Sequence, residues 1–357
     1  MELAASVQHP LTIPYNSPMA QAGITQPSSF ILTLPKAELH LHLEGSIEPA
    51  TLLELRRRHG KNSSLPEVEY LYRYADFPGF LMAFKTVTED LQTPEDYELI
   101  TYRLMGKLKA QNVLHAEVYV SVGVCLWRAQ DFGAIFEGME RGRERGERDF
   151  GISLLWIFDA VRQFGPGAAR DVFGWAVRCR ERHVAAVGIG GDEQKAPPEL
   201  FRDAYAYAAD NGLHLTAHAG EYAGPESIWG ALNLKAERIG HGLTAAQDPE
   251  LVEELAGRQI PVEICLTSNL RTGCCESLAE HPVRRYFDQG LMITLNSDDP
   301  AMFATSLAQE FRLAQENFSF TDEHLREMAR NSFEASFLAA EKKLEFLNLF
   351  DAAAART

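Results

Sequence analysis

The chain has 357 residues, with 34 Lys and Arg against 50 Asp and Glu and a formal net charge of −16. That balance excludes the basic footprint of a nucleic-acid surface, and no apolar run approaches the ~20 residues that a membrane span needs. The five cysteines (Cys125, Cys179, Cys265, Cys274, Cys275) form no Cys-x-x-Cys pair, so neither a disulfide framework nor a thiolate zinc site is expected, and a reduced, cytoplasmic setting fits.

Residues 1–30 are rich in Ser, Pro, Gln and Ala and lack the basic start and apolar segment of a signal peptide. They are expected to form a poorly ordered extension, with Met19 as an alternative start, ahead of a single domain over 31–350. From Pro35 onward, short β-branched or apolar runs alternate with helical patterns. Strands are expected at 37–43, 113–120, 152–158, 185–189, 213–218, 238–241, 261–265 and 292–297. Amphipathic helices at 168–182, 198–209, 249–256 and 282–289 lie between them. Eight strands each followed by a helix predict an α/β fold of the (β/α)8 TIM-barrel type. An open doubly wound sheet would carry a Gly-rich phosphate turn after its first strand; this chain places histidines there instead.

The interval 49–111 is too long for one crossover helix, and 77–84 is rich in aromatics. It reads as extra helices laid over the C-terminal mouth of the barrel, where active sites of this fold sit. The plainer alternative is a surface insertion packed by its own aromatics. At the end of the chain, 307–316 and 324–349 read as closing helices.

The first strand contains Glu38-Leu39-His40-Leu41-His42-Leu43-Glu44-Gly45. Side chains alternate along a strand, so His40 and His42 share a face about 6–7 Å apart, a spacing that suits a divalent metal. A buried, hydrogen-bonded histidine is the blander reading of either one. Later strand ends supply the rest: His218-Ala219-Gly220-Glu221 closes the fifth, His241-Gly242 the sixth and Asp298-Asp299-Pro300 the eighth. A barrel gathers such ends at one mouth. Three imidazoles and a carboxylate, with water, make a suitable zinc set.

Together with Gly191-Asp192-Glu193, Gly224-Pro225-Glu226-Ser227, Arg238-Ile239-Gly240-His241-Gly242 and Thr267-Ser268-Asn269, these motifs resemble the adenosine deaminase family of metal-dependent hydrolases. The resemblance runs in order from Pro35 to the C-terminal helices. It implies one Zn2+ per subunit held by His40, His42, His218 and Asp298, and hydrolytic attack of water on C6 of a 6-aminopurine. It also implies Glu221 as proton donor to N1 and His241 as the group that orients the water or stabilises the developing oxyanion. His42, Glu44, Gly191 and Asp299 would face the substrate, Asp299 at N7 and the Gly191 N–H at N3.

Plainer roles stand beside these. Glu221 could be a helix-start acid, Asp299 a helix cap, Gly191-Asp192-Glu193 a simple βα turn in which Glu193 holds neighbouring groups. His115 and His214 read as packing residues and Cys274-Cys275 as incidental.

The resemblance implies a small-molecule purine nucleoside as partner, adenosine or 2′-deoxyadenosine first, and leaves the oligomeric state open. Thr305-Ser306-Leu307 and Thr267-Ser268-Asn269 favour that nucleoside branch. Against it, Glu44 stands where many adenosine deaminases carry an aspartate, whereas relatives acting on adenine or aminodeoxyfutalosine often have a glutamate there. Gly188-Ile189-Gly190 replaces the usual Asp-Leu-Ala. A 5′-extended nucleoside such as aminodeoxyfutalosine is therefore the rival, with Lys85 or Arg162 as a cation for its carboxylate, and adenine is a further alternative. Two other classes remain: a barrel that binds a nucleoside without turnover, which loss of Glu221 or a ligand would have favoured, and a two-metal hydrolase with a carbamylated lysine, which Ile189-Gly190-Gly191 disfavours.

Overall fold

The computed structural model describes residues 26–74 and 76–354. Eight parallel strands follow one another in chain order around a single sheet: β1 Lys36–His42, β2 Val113–Val120, β3 Ser153–Val161, β4 Val184–Gly190, β5 His214–Ala219, β6 Arg238–His241, β7 Val262–Ile264 and β8 Ile293–Leu295. This is the expected (β/α)8 barrel. Its seam between β8 and β1 is closed beyond the end of β8, where Asp298 N donates to His40 O (3.1 Å) and His42 N donates to Asp298 O (2.8 Å). An expected ligand is thus also the residue that shuts the barrel.

Strand ends differ from expectation by up to three residues, most at β3, which continues to Val161 and so carries Asp159 to the mouth. The stretch 198–209 begins as a 3-10 turn, Pro198–Phe201, before the helix Arg202–Asp210. The expected helix 324–349 is broken into Asp322–Glu334 and Ala340–Ala354. The break has a physical reason. Phe337 N donates to Glu117 Oε1 (2.5 Å), and Arg238 Nη1 donates to Ala335 O (3.1 Å), so the kinked backbone serves two charges buried inside the barrel.

Of the N-terminal extension, 1–25 lie outside the described residues. The expected boundary at 30 moves back, because Ser28 caps a short helix, Ser29–Thr33, whose Ile31 is buried. The interval 49–111 folds as four helices, Pro49–Arg58, Leu65–Tyr70, Phe77–Thr88 and Pro94–Lys109, each with proline in its first turn, where a missing N–H costs nothing. Phe77–Thr88 lies over the mouth: Phe80 stacks on Phe303 (5.0 Å between centroids) and Phe77 meets Tyr222 (4.4 Å). Pro94–Lys109 is not part of that lid; it is the ordinary crossover helix into β2, packed against Phe132–Phe150. Among the described residues no helix is long and apolar enough to cross a membrane.

Candidate active site

Alternation along β1 turns Leu39 and Leu41 outward into the helix layer and His40 and His42 inward, where their rings meet Tyr119 and His218. Four donor atoms converge. His42 Nε2 lies 3.2 Å from His218 Nε2, and Asp298 Oδ1 lies 3.5 Å from His40 Nε2 and 3.3 Å from His42 Nε2. Ligands at ~2.0–2.1 Å from one tetrahedral ion stand about 3.3 Å apart, so this set fits a metal such as zinc.

Two further observations support the fit. His40 Nε2 is buried without a hydrogen-bond partner. Burial alone would push His40 down, yet the neighbouring carboxylates of Asp298 and Glu263 carry it up to about 10, so the site calls for positive charge at that nitrogen. His42 and His218 are the reverse: burial holds His42 down at about 4 and His218 well below its usual range, leaving neutral imidazoles ready to ligate.

Each ring is oriented from behind. His218 Nδ1 donates to Ile189 O (3.1 Å), which frees Nε2. His40 Nδ1 donates to Glu263 Oε2 (2.8 Å), and Glu263 Oε1 is ion-paired with Arg238 Nε (2.6 Å). Such outer partners fix the tautomer of a metal-binding histidine. Nothing in the sequence motifs assigned Glu263 or gave Arg238 a role.

Glu221 follows β5 in a loop tied down by Glu193, whose carboxylate accepts from Gly220 N (2.8 Å), Glu221 N (2.9 Å), Tyr222 N (3.2 Å) and Ser227 Oγ (2.6 Å). Glu193 therefore does hold its neighbours. Burial, with the charges of Asp298 and Glu193, pushes the Glu221 carboxyl well above the carboxylate range, so it keeps its proton at neutral pH. Its Oε2 faces His241 Nε2 at 3.7 Å. Its Oε1 meets Cys274 Sγ at 3.6 Å, so this cysteine is not incidental.

Asp299 makes no side-chain cap bond to the helix Pro300–Phe303; its Oδ1 is buried and unpartnered, which removes the plain capping role. A Cβ on Gly45 would lie 1.9 Å from that oxygen, so glycine is obligatory beside it. Burial and the neighbouring charge of Asp298 keep the Asp299 carboxyl well above its ordinary value. Glu44 Oε1 accepts from Ser121 N (3.0 Å), while Oε2 is buried and unpartnered, and burial lifts this carboxyl to about 7. Gly191, at φ +101°, is a conformation that favours glycine, with Gln163 against it.

Sequence reasoning missed Asp159. Its carboxyl occupies the space above Gly188 and Gly190, where added Cβ atoms would meet Oδ1 at 2.8 Å and Oδ2 at 3.0 Å. The aspartate lacking from β4 is thus matched by one from β3. Other expectations fail. Arg162 is fully buried and donates to Ala196 O (2.7 Å) and His218 O (2.6 Å), so it is no cation for a substrate carboxylate. Thr267 and Thr305 both bond Glu310 and form a structural knot rather than a marker of substrate branch. Ser268 instead donates to Asp298 Oδ2 (2.6 Å). His115 and His214 are packing residues, against Phe346 and Phe337.

Residues 35–353 match the family model described as adenosine deaminase. The chain belongs to that family. It is 39% identical over 88% of its length, and 90% of the relative's, to aminodeoxyfutalosine deaminase of Streptomyces avermitilis. It is 36% identical to adenine deaminase of Hahella chejuensis, over 90% and 97% of the two chains. Among solved structures it resembles an amidohydrolase from Burkhoderia ambifaria with bound Zn, at a TM-score of 0.84 and 28% identity over 97% of each chain. The protein is a hydrolytic deaminase, and the names of these relatives favour the alternatives to adenosine.

Proposed function

We propose that this deaminase acts on a 6-aminopurine nucleoside with a 5′ extension, of the aminodeoxyfutalosine kind, using one Zn2+ held by His40, His42, His218 and Asp298. The observation that carries the substrate reading is the kinship with aminodeoxyfutalosine deaminase in a site whose Glu44 stands where adenosine-acting relatives carry aspartate. The rim agrees with it. Trp127 (63% exposed) and Phe164 (37% exposed) stack at 6.0 Å beyond the ends of β2 and β3, an aromatic face suited to a bulky 5′ group.

His40, His42, His218 and Asp298 would hold the ion, whose Lewis acidity would make water a nucleophile at neutral pH. The chain's own residues do the remainder. Protonated Glu221 delivers its proton to N1 as charge develops there on attack at C6. Protonated Asp299 donates to N7, and the Gly191 N–H donates to N3, so the purine is fixed along two edges. Lid residues Phe77 and Phe80, with Tyr74 against Phe80 (5.6 Å between centroids), exclude solvent, which strengthens each of these bonds. As the C6–O bond forms, one proton of the water passes to the amino group, the C6–N bond breaks and ammonia leaves; the other proton restores Glu221, and the 6-oxopurine remains protonated at N1.

Adenine is the second reading, favoured by the adenine deaminase kinship at nearly equal identity. Ammonia release from aminodeoxyfutalosine, adenosine and adenine decides among them. The expected order of kcat/KM puts the 5′-extended nucleoside first. Faster turnover of free adenine than of either nucleoside would overturn the substrate reading and leave the deaminase chemistry standing.

A further inference from the structure

His281 lies just ahead of the helix Val283–Asp288, outside every motif that carries the chemistry, yet it is buried beneath the active site. Its ring closes a chain of three hydrogen bonds. Val283 N, a backbone N–H that can only donate, points at His281 Nδ1 (3.2 Å). His281 Nε2 lies 3.2 Å from Asn269 Oδ1, and Asn269 Nδ2 lies 3.1 Å from His241 Nδ1. Because the first donor is fixed, the polarity of the rest is fixed too. His281 accepts at Nδ1 and donates from Nε2; Asn269 must then turn its oxygen to His281 and its NH2 to His241. Nδ1 of His241 is thereby an acceptor, and its proton sits on Nε2, the atom that faces Glu221.

We propose that His281 is a positioning residue for the deamination, which, through Asn269, holds His241 as the Nε2–H tautomer and makes it a hydrogen-bond donor to the oxygen that develops negative charge on C6. The inference rests on the deaminase reading of the site. Burial holds the His281 imidazole down at about 3, so its ring is neutral at physiological pH and free to accept at Nδ1 while it donates from Nε2. The backbone of His241 supports the same fixed pose. It sits at φ +64°, an unusual conformation for a residue with a side chain, at the end of β6. A base at this position would need the opposite tautomer, with a lone pair on Nε2. A carboxylate at 269 would give that arrangement and an amide oriented by His281 does not.

The test reads the tautomer directly. Ring 15N chemical shifts of His241 in the metal-loaded protein, assigned with His241→Gln, are expected to show a protonated Nε2 and an unprotonated Nδ1. Asn269→Asp reverses the polarity of the relay and should move the proton to Nδ1, with kcat falling at least about 100-fold, as loss of an oxyanion donor does. His281→Phe keeps the volume and removes the donor; kcat should fall about tenfold or more, with KM within a few-fold. His281→Gln, whose amide nitrogen can reach the place of Nε2, should restore most of the loss. A wild-type His241 protonated at Nδ1, or a His281→Phe variant with unchanged tautomer and kcat, overturns the proposal. The shifts are read without substrate, so they stand whichever purine the enzyme prefers, and Asn269→Asp carries the test if His281→Phe does not fold.

Discussion

Glu221 is held from both sides, its backbone by Glu193 and its Oε1 by Cys274, so that Oε2 alone is left for the substrate. Glu221→Gln keeps this shape but has no acidic proton for N1. Its kcat is expected to fall about 10²–10⁴-fold, the usual contribution of general acid catalysis, with metal content unchanged by elemental analysis. A variant within several-fold of wild type would mean another group is the acid. Glu44 gives a second test at this scale. Its Oε1 is spent on Ser121 N, and Oε2 waits unpartnered. If the reacting nucleoside offers Oε2 a ribose hydroxyl, Glu44→Gln and removal of that hydroxyl should each lower kcat/KM. The two losses should not add, because they delete one interaction. Losses that multiply would place Glu44 away from the sugar. The residues visible in the sequence were those standing at strand ends in a recurring order, such as His218 and Asp298. Glu263 was not visible, because barrel closure alone brings it to His40, 223 positions away; Asn269 was visible only as part of a motif and His281 not at all, because the bonds that join them to His241 leave no mark in residue spacing.

The helices Pro94–Lys109 and Phe132–Phe150 cross at a stripe of glycines, Gly138, Gly142 and Gly146, spaced four apart along one face. A Cβ at these positions would meet Pro94 O at 2.0 Å, Glu98 O at 2.6 Å and Met105 Sδ at 2.3 Å. Alanine is the better helix former by about 1 kcal/mol, so the stripe exists for contact, not propensity. Gly142→Ala sets that gain against an overpacking cost of about 1–3 kcal/mol in a backbone contact that cannot yield. A lowered Tm with kcat intact is expected, and a raised Tm would show that the helices part without cost. The stripe was readable in the sequence once its partner helix was known. The strands were legible as short β-branched or apolar runs and the lid by its aromatics. The break at 335–339 was not, because it answers to Glu117 and Arg238 inside the barrel rather than to any local breaker.

The molecule as a whole is organised around charge placed where a barrel usually packs branched apolar side chains. Above, the metal ligands meet at the mouth, and the protein should hold one divalent ion per chain by elemental analysis. Chelation should abolish turnover and lower Tm, since an ion that binds only the folded state stabilises it. Two equivalents, or full activity after exhaustive chelation, would exclude the single-ion site. Below, the buried Arg238 lies between buried Glu117 (2.5 Å) and Glu263 (2.6 Å) and over the ring of half-buried Phe337 (3.8 Å). Burial pushes Glu117 up, but the Arg238 charge and the bonds from His115 and Phe337 outweigh it and hold the carboxyl at about 2, against 4.5 when free. A depressed carboxyl adds stability above its free value, and that stability is lost as pH falls from 4.5 through about 2. Glu117→Gln leaves Arg238 half-paired and is expected to cost about 3–5 kcal/mol at pH 7. Because glutamine does not titrate, the gap between the two proteins should narrow by about 1 kcal/mol between pH 7 and pH 3.5. Urea unfolding of both chelated proteins at the two pH values measures it. A gap that stays constant or widens toward low pH would show that Glu117 is not held ionised by Arg238.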